Sequence, residues 1–231
     1  MEEKRGVDLV HHFFAGTGMT YDFMVKLCTL GFDLWWKRKI VEKIPEGSAL
    51  IMDQACGTGI LTFKIARRYS SGQVIGVDLQ EEYLGIAKRR AKELKLDNVQ
   101  LILGRAEDVF LEKNFDCIVS SYLAKYADLE RLIRNIRRML RKGGILVMHD
   151  FTYPPNPLFA RAWECYFKIL QTVGPRKYPQ WSAIFRGLPG LIRGTQWVIE
   201  LMESLRKNGF SDITLEYLTV GTSTIVAARR I

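Results

Sequence analysis

The chain turns at Asp53-Gln54-Ala55-Cys56-Gly57-Thr58-Gly59, a segment that joins a strand-like run to a helix-like run. Before it, Ala49-Leu50-Ile51-Met52 is short and continuously apolar, which is typical of a buried strand. After it, residues 59–69 carry apolar side chains at helical spacing. Glycines allow a tight turn in which the backbone approaches a ligand closely. A strand, a glycine-containing turn and a helix in this order predict the first unit of a parallel α/β sheet.

The same alternation continues as far as residue 150. Further strands are expected at 73–78, 99–103, 115–121 and 145–148, and helices at 81–96 and 128–141. We expect the second helix to stop at Gly143-Gly144. Two last runs, 209–217 and 222–228, are interpreted as a hairpin. The pattern predicts a doubly wound, mostly parallel seven-stranded sheet with an antiparallel C-terminal hairpin and helical additions.

The segments outside this core differ from it in composition. Residues 1–47 are interpreted as an N-terminal helical cap, and residues 48–150 as the core. Residues 151–208 are rich in proline and aromatic residues, and they are interpreted as a helical segment that covers a substrate. The hairpin occupies residues 209–231. Because we find no repeats and no low-complexity linker, we expect a single domain over residues 1–231.

Composition excludes several classes of protein. With 231 residues, 48% hydrophobic and 26% charged, the chain is expected to be globular rather than disordered. No apolar run is long enough for a membrane span, and the acidic N-terminus is unlike a secretory signal. Four cysteines without CxxC spacing favour a reducing compartment without structural zinc, so the expected location is the cytoplasm. The net charge of +9 suits an anionic ligand, an anionic membrane or nucleic acid without choosing between them.

Three residues at the ends of the first two expected strands indicate a nucleoside site. Gly57 and Gly59 precede the first helix, whose free N–H groups face a ligand. Asp78 closes the second strand, where its carboxylate can accept hydrogen bonds from two ribose hydroxyls. Each residue alone is equally typical of a turn or a helix cap. Together, at the carboxyl ends of parallel strands, they predict a bound nucleoside.

Several motifs of the chain resemble those of a known family. The motifs that carry the resemblance are Asp53-x-Ala55-Cys56-Gly57-Thr58-Gly59, Val77-Asp78, Ala106-Glu107-Asp108, Phe115-Asp116 and Gly143-Gly144. They are similar to those of class I S-adenosylmethionine-dependent methyltransferases. Flanking motifs resemble the ubiquinone/menaquinone biosynthesis C-methyltransferases: Tyr21-Asp22, Gly31, Trp36-Lys37-Arg38, Asp150-Phe151, Pro154, Asn156-Pro157-Leu158 and Gly209-Phe210. The likeness covers nearly the whole chain.

The resemblance implies S-adenosylmethionine as the cofactor and S-adenosylhomocysteine as its product. It implies cofactor binding by Tyr21, Asp53, Ala55, Gly57, Gly59, Thr62, Asp78, Leu79, Arg105, Ala106, Glu107 and Ser121. Asp78 is expected to hold the ribose, and the segment around Ala106 to flank the adenine. Arg105 stands where the family often has Asp, so we expect adenine recognition to move to Glu107. No metal is expected.

The catalytic residues are less well indicated. Where the family carries an Arg-Asn pair implicated in activating the ring, this chain has Ala124-Lys125 and is one residue shorter. Ring methylation needs a hydroxyl that is deprotonated or hydrogen-bonded. The candidates are His149, Asp150 and Lys125, with His11 or His12 as further possible bases. The alternative for His149 is a packed residue at a strand end.

These features predict a methyltransferase that acts on a small aromatic or lipid-like acceptor, with demethylmenaquinone-type C-methylation as the favoured reaction. O- or N-methylation of another small molecule or a phospholipid head group is the alternative. An RNA-binding methyltransferase-like protein is a third hypothesis, but no nucleic-acid partner is expected, because the chain carries no appended RNA-binding motif. An oligomer is compatible with the sequence. So is peripheral membrane contact through Trp35-Trp36-Lys37-Arg38-Lys39.

Overall fold

The computed structural model describes residues 2–231, with side chains from residue 6 onward. Its α-helices are α1 (Glu2–Phe14), α2 (Tyr21–Cys28), α3 (Phe32–Glu42), α4 (Ile60–Arg68), α5 (Glu81–Glu93), α6 (Leu129–Met139), α7 (Pro157–Lys177), α8 (Ser182–Gly194) and α9 (Trp197–Lys207). Its strands are β1 (Leu50–Gln54), β2 (Gln73–Asp78), β3 (Val99–Leu103), β4 (Phe115–Ser121), β5 (Leu140–Phe151), β6 (Phe210–Leu218) and β7 (Ser223–Arg230). Short 3₁₀ helices lie at Gly18–Thr20, Pro179–Trp181 and Thr219–Gly221.

The strands form a single sheet in the order β3-β2-β1-β4-β5-β7-β6. Neighbours from β3 to β5 are parallel, and β7 is antiparallel to both β5 and β6. The predicted seven-stranded, mostly parallel fold with an antiparallel hairpin is confirmed. The strand order reverses between β1 and β4, where Gln54 pairs with Ser120. Open α/β sheets bind ligands at such a switch point, at the carboxyl ends of the strands.

The expected end of α6 is wrong. The helix ends at Met139, and β5 begins at Leu140 and runs through Gly143-Gly144 to Phe151. Its pairing with β4 jumps from Leu140 opposite Phe115 to Ile145 opposite Cys117. The glycines therefore lie in an irregular stretch of strand, where Gly143 has a φ of +71°. Gly-Gly marks this bulge rather than a helix stop.

Apolar side chains fill both faces of the sheet. One face packs against α6 and α9, whose buried residues include Leu132, Ile136 and Leu201. The other packs against α3 and α4. A third apolar cluster, around Phe13 and Trp181, joins the N-terminal segment to α8. No helix of residues 2–231 is both long and apolar enough to cross a bilayer.

Candidate active site

A cavity that is partly open to solvent lies at the carboxyl ends of β1, β2 and β4, and we call it the glycine-loop cavity. Nine of the twelve residues expected to bind the cofactor line it: Tyr21, Ala55, Gly57, Asp78, Leu79, Arg105, Ala106, Glu107 and Ser121. The parallel register brings these residues together, since the ends of neighbouring strands meet at one edge of the sheet. That these residues bind the cofactor stays a prediction.

The glycine loop and Asp78 are held together by hydrogen bonds. Gly57 and Gly59 have φ values of +57° and +89°, which favour glycine. The Gly57 N–H donates to Asp78 Oδ2 at 2.7 Å, and the Gln80 N–H donates to Asp78 Oδ1 at 2.8 Å. Burial raises the pKa of the Asp78 carboxyl, and these backbone donors oppose that rise. The carboxylate is therefore fixed at the cavity wall, and its remaining lone pairs are available as acceptors.

Three expected cofactor residues lie outside the cavity lining. The Thr62 hydroxyl donates to Asp53 Oδ2 at 2.6 Å, and both residues are buried. A Cβ on Gly59 would stand 2.3 Å from the ring of Phe63, so this glycine is required by packing as well as by its φ. Asp53, Gly59 and Thr62 thus support the loop from the side of α4.

Unpaired polar atoms lie close behind the cavity wall. Among the described side chains, Asp53 Oδ1, Gln54 Oε1 and Ser120 Oγ are buried without a hydrogen-bond partner. All three are at the carboxyl ends of β1 and β4, next to Ala55 and Ser121 of the wall. Buried polar atoms normally find partners. Orphaned acceptors beside a fixed carboxylate and an N–H-rich loop fit a ligand with a nucleoside end and a charged amino-acid end, as S-adenosylmethionine has.

The buried Asp53 carboxyl predicts a dependence of stability on pH. Burial raises its pKa from 3.8 to about 7 in the folded chain. Between these two pKa values the native state binds more protons than the unfolded state, so stability falls as pH rises from about 4 to about 7. The loss is at most about 4 kcal/mol. Denaturant unfolding of the ligand-free protein across this range should show a flatter pH profile for Asp53→Asn. Equal slopes for the two proteins would contradict the prediction.

The N-terminal segment covers the glycine-loop cavity and is fastened to α5. Gly6, Val7, Val10 and Phe14 of this segment line the cavity. The Glu82 carboxylate accepts hydrogen bonds from the N–H groups of Gly16 and Gly18, each at 3.0 Å. Farther along, Asp22 accepts a hydrogen bond from Thr58 of the glycine loop at 2.5 Å and pairs with Arg90. The sequence indicated a helical cap, but not these individual wall residues, because no local motif marks them.

Gly6 lies where α1 meets the segment after β4. A Cβ at this position would stand 2.4 Å from the backbone oxygen of Tyr126, so Gly6→Ala must displace α1 from the cavity. We expect a loss of about tenfold in affinity for S-adenosylhomocysteine, measured by calorimetry. Gly190→Ala in α8 is the matched control, because a Cβ there meets nothing within 4 Å. Equal affinities for the two variants would contradict this role of α1.

A second cavity adjoins the first, and we call it the apolar cavity. The two cavities share Phe14, Tyr21, Tyr122 and Tyr126. Its other walls come from α2, α7 and α8 and the 3₁₀ helix before α8: Met24, Val25, Cys28, Phe167, Leu170, Trp181, Ile184, Phe185 and Leu188. A molecule in the apolar cavity would therefore meet a ligand in the glycine-loop cavity across a ring of aromatic side chains.

Lys125 is the charged residue in the described lining of the apolar cavity. Its Nζ lies 2.5 Å from Asp150 Oδ1, and both side chains are almost fully buried. The backbone N–H of Lys125 also donates to Asp150 Oδ2 at 3.2 Å, and the ammonium lies 4.4 Å from the ring centroid of Tyr126. Burial lowers the pKa of Lys125, and Asp150 opposes that shift. The pair places an oriented N–H donor in an otherwise apolar space.

His149 occupies a different environment. Its Nδ1 is 3.0 Å from Ser121 Oγ and its Nε2 is 2.9 Å from Ser223 Oγ, so both ring nitrogens are engaged. The ring packs between Trp36 and Tyr122 and is fully buried. Burial lowers the pKa of His149 well below its usual range, which keeps the ring neutral. His149 lines neither cavity and supports Ser121 from behind, the arrangement of a packed strand-end residue. His11 and His12 lie on the exposed side of α1.

Comparison with known proteins agrees with this geometry. Residues 1–230 match the ubiE/COQ5 methyltransferase family. A Klebsiella pneumoniae (strain 342) ubiquinone/menaquinone biosynthesis C-methyltransferase UbiE is 30% identical over 96% of this chain and 90% of its own length. A demethylmenaquinone methyltransferase of Lactobacillus johnsonii is 26% identical over 94% of this chain and 90% of its own.

The fold is shared with solved enzyme structures. The geranyl diphosphate C-methyltransferase of Streptomyces coelicolor, solved with S-adenosyl-L-homocysteine, superposes with a TM-score of 0.65 at 18% identity, covering 86% of this chain and 79% of that one. A phosphoethanolamine N-methyltransferase of Haemonchus contortus, solved with S-adenosyl-L-methionine, reaches 0.62 at 19% identity, covering 84% and 52%. The family match across residues 1–230 shows that the chain belongs to the ubiE/COQ5 methyltransferase family and is an S-adenosylmethionine-dependent methyltransferase.

Proposed function

We propose that the enzyme methylates a ring carbon of a quinol-type acceptor bound in the apolar cavity. The observation that carries the proposal is the junction of the two cavities. An apolar space with one buried cation adjoins the glycine-loop cavity, and the two share the side chains of Phe14, Tyr21, Tyr122 and Tyr126. Aromatic walls suit a flat ring and an apolar tail. Relatives named demethylmenaquinone methyltransferase support the same acceptor class.

The chain's main task in such a reaction is positioning. S-adenosylmethionine supplies a methyl group already activated by its sulfonium. The protein must align the acceptor's ring carbon with that methyl group and exclude water. The four aromatic side chains shared by the two cavities are suited to both tasks. A carbon next to a ring oxygen becomes a better nucleophile when that oxygen carries negative charge. We assign Lys125 to hold this oxygen as an anion, and Asp150 to hold Lys125.

On the cofactor side, the proposed contacts follow the cavity wall. Asp78 would accept from the ribose hydroxyls, and Gly57 would let the backbone approach the nucleoside. Glu107 accepts hydrogen bonds from Arg105 at 3.1 Å and from the Asp128 N–H at 3.3 Å. The Arg105–Glu107 pair would therefore form the adenine edge of the site as a unit. Ser121, held by His149, would face the methionine part.

Acceptors with long apolar tails reside in bilayers. We therefore extend the proposal to peripheral contact with a membrane, from which the enzyme would take its acceptor. The lining of the apolar cavity supports membrane contact, because a polar, freely diffusing acceptor would gain little binding free energy from apolar walls.

Product analysis tests the proposal directly. Purified enzyme and S-adenosylmethionine carrying a labelled methyl group would be incubated with a short-tailed demethylmenaquinol, a simple phenol or phosphoethanolamine, and the methylated position read by NMR. We expect a C-methyl product from the quinol alone. Phosphoethanolamine should fail, because its charged groups would lose their hydration against the apolar lining without finding partners there. An O-methyl product, or turnover only with the amine, would overturn the assignment.

A further inference from the structure

Helices α2 and α7 stand side by side next to the apolar cavity. The Tyr166 hydroxyl of α7 donates to the backbone oxygens of Leu27 and Cys28 in α2, at 3.1 and 3.3 Å. One side of each helix forms cavity wall, with Met24 from α2 and Leu170 from α7 as examples. The space between the two helices is therefore bounded by the cavity on its inner side and by solvent on its outer side.

The outer sides of the same helices carry exposed apolar residues. In α2, Phe23 and Leu27 are 53% and 39% exposed, and in α7, Ile169 and Val173 are 56% and 51% exposed. Each pair is separated by four positions, so its members lie one above the other on one helix face. Leu30, just after α2, is 69% exposed and extends the same surface. Contiguous exposed apolar residues rimmed by polar ones mark an interaction surface.

The rim of this surface is basic. Lys26 of α2 and Lys168, Arg176 and Lys177 of α7 are exposed. The acidic residues of the two helices are already paired with cations, Asp22 with Arg90 and Glu164 with Arg193. We define the α2/α7 face by these apolar and basic residues: Phe23, Lys26, Leu27, Lys168, Ile169, Val173, Arg176 and Lys177. Its charge complements an anionic partner.

The Trp35–Lys39 segment, which the sequence left open for membrane contact, lies in α3 and offers fewer unpaired cations. Trp36 is buried in the core, and Lys37 is buried in an ion pair with Asp33. Arg38 and Lys39 both pair with Glu42. Trp35 is exposed, as are Phe32 and Leu34 beside it. The two surfaces differ in charge, because the surface cations here are paired with Glu42, whereas the acids of α2 and α7 are paired with cations outside the α2/α7 face.

We propose that the α2/α7 face docks on an anionic phospholipid bilayer, so that the acceptor's apolar tail enters the cavity between the two helices. The inference rests on the proposed function, because it needs an acceptor held in a bilayer. Amphipathic helices bury their apolar side in the headgroup boundary, and lysine and arginine at their edges are attracted to anionic lipids. In the docked orientation the apolar cavity, with Lys125 in its wall, lies between the lipid and the glycine-loop cavity.

Vesicle binding tests the face. Full-length protein would be sedimented with phosphatidylcholine vesicles and with vesicles that also contain phosphatidylglycerol. We expect binding to the anionic vesicles that weakens with added salt, and a loss of about tenfold or more in partitioning for Leu27→Gln/Ile169→Gln. Ile199→Gln in α9 is the matched control, since Ile199 is 57% exposed and lies outside the face. Lys168→Glu/Lys177→Glu should lose the preference for anionic lipid.

Turnover separates this inference from the proposed function. The Leu27/Ile169 variant should keep wild-type turnover with a short-tailed soluble quinol and lose turnover with a long-tailed quinol in vesicles. Equal vesicle binding by wild type and this variant would overturn the proposal that the α2/α7 face docks on the bilayer. A changed oligomeric state of the variant with unchanged vesicle binding would also overturn it, because the α2/α7 face would then contact a second copy of the chain. Wild-type protein that binds vesicles through this face but never methylates a quinol would instead overturn the proposed acceptor.

Discussion

Asp78→Ala is expected to lower the affinity for S-adenosylhomocysteine by about 100-fold or more. The wild-type carboxylate accepts the N–H groups of Gly57 and Gln80, at 2.7 and 2.8 Å, while it lines the cavity. Alanine removes the acceptor that we assign to the ribose hydroxyls, and it leaves two buried N–H groups unpaired. The glycine loop then loses one of its two links to the end of β2 and keeps the hydrogen bond from the Cys56 N–H to the Val77 oxygen, at 2.9 Å. Calorimetric titration of the purified variant measures the loss.

A second aspartate controls for the structural part of this effect. Asp116 Oδ2 also accepts two backbone N–H groups, from Ala49 and Leu50 at 2.8 and 2.9 Å, but at the amino end of the sheet. Asp116→Ala should lower the free energy of unfolding while leaving cofactor affinity within about threefold of wild type. If both variants bind the cofactor as wild type does, Asp78 is not the ribose ligand. If both variants lose affinity equally, the loss comes from weakened folding and not from a lost contact with the ribose.

Lys125→Met is expected to lower turnover by about 100-fold, while cofactor affinity stays within about threefold of wild type. Methionine keeps the length of the side chain and removes the N–H donor that we assign to the acceptor oxygen. Because Lys125 lines the apolar cavity and not the glycine-loop cavity, cofactor binding should be spared. Single-turnover kinetics with a short-tailed quinol, beside calorimetry with S-adenosylhomocysteine, separates the two readouts.

Loss of the lysine leaves Asp150 buried without its cation, so stability must be controlled. Lys125→Met/Asp150→Asn removes both charges, and it should fold and remain inactive. Lys37→Met gives a comparison, since Lys37 forms a similar buried pair with Asp33 but lines neither cavity. Lys37→Met should lose stability and keep most turnover. Full activity of the folded double variant would show that Lys125 does not hold the acceptor.

Several elements were predictable from the sequence because their signals are local. The strands at 73–78, 99–103 and 115–121 have the predicted bounds, since short apolar runs between charged helices leave little choice. Gly57 and Asp78 were identified because a turn and a strand end occupy characteristic positions in this fold. The end of α6 was misplaced, because Gly143-Gly144 has the same sequence signature in a bulge as after a helix.

Only the tertiary structure shows that the candidate catalytic residues have different surroundings. In the sequence, His149 and Asp150 are neighbours at the end of β5 and equally placed for catalysis. Successive residues of a strand point to opposite faces of the sheet. His149 accordingly contacts Ser121 and Ser223 within the core, whereas Asp150 contacts Lys125 beside the apolar cavity. The sequence pattern did not distinguish these two environments.

The amino-acid sequence was enough to predict the sheet, the glycine loop and the carboxylate at the end of β2, because each arises from residues close together in the chain. The apolar cavity needed the tertiary structure. Its walls come from Phe14, Met24, Lys125, Phe167 and Phe185, which lie on segments that meet only when the N-terminal helices and α7–α8 pack over the same edge of the sheet. Aromatic residues have the same local pattern whether they fill a core or line a cavity. Only the packing of distant segments decides which of the two they do.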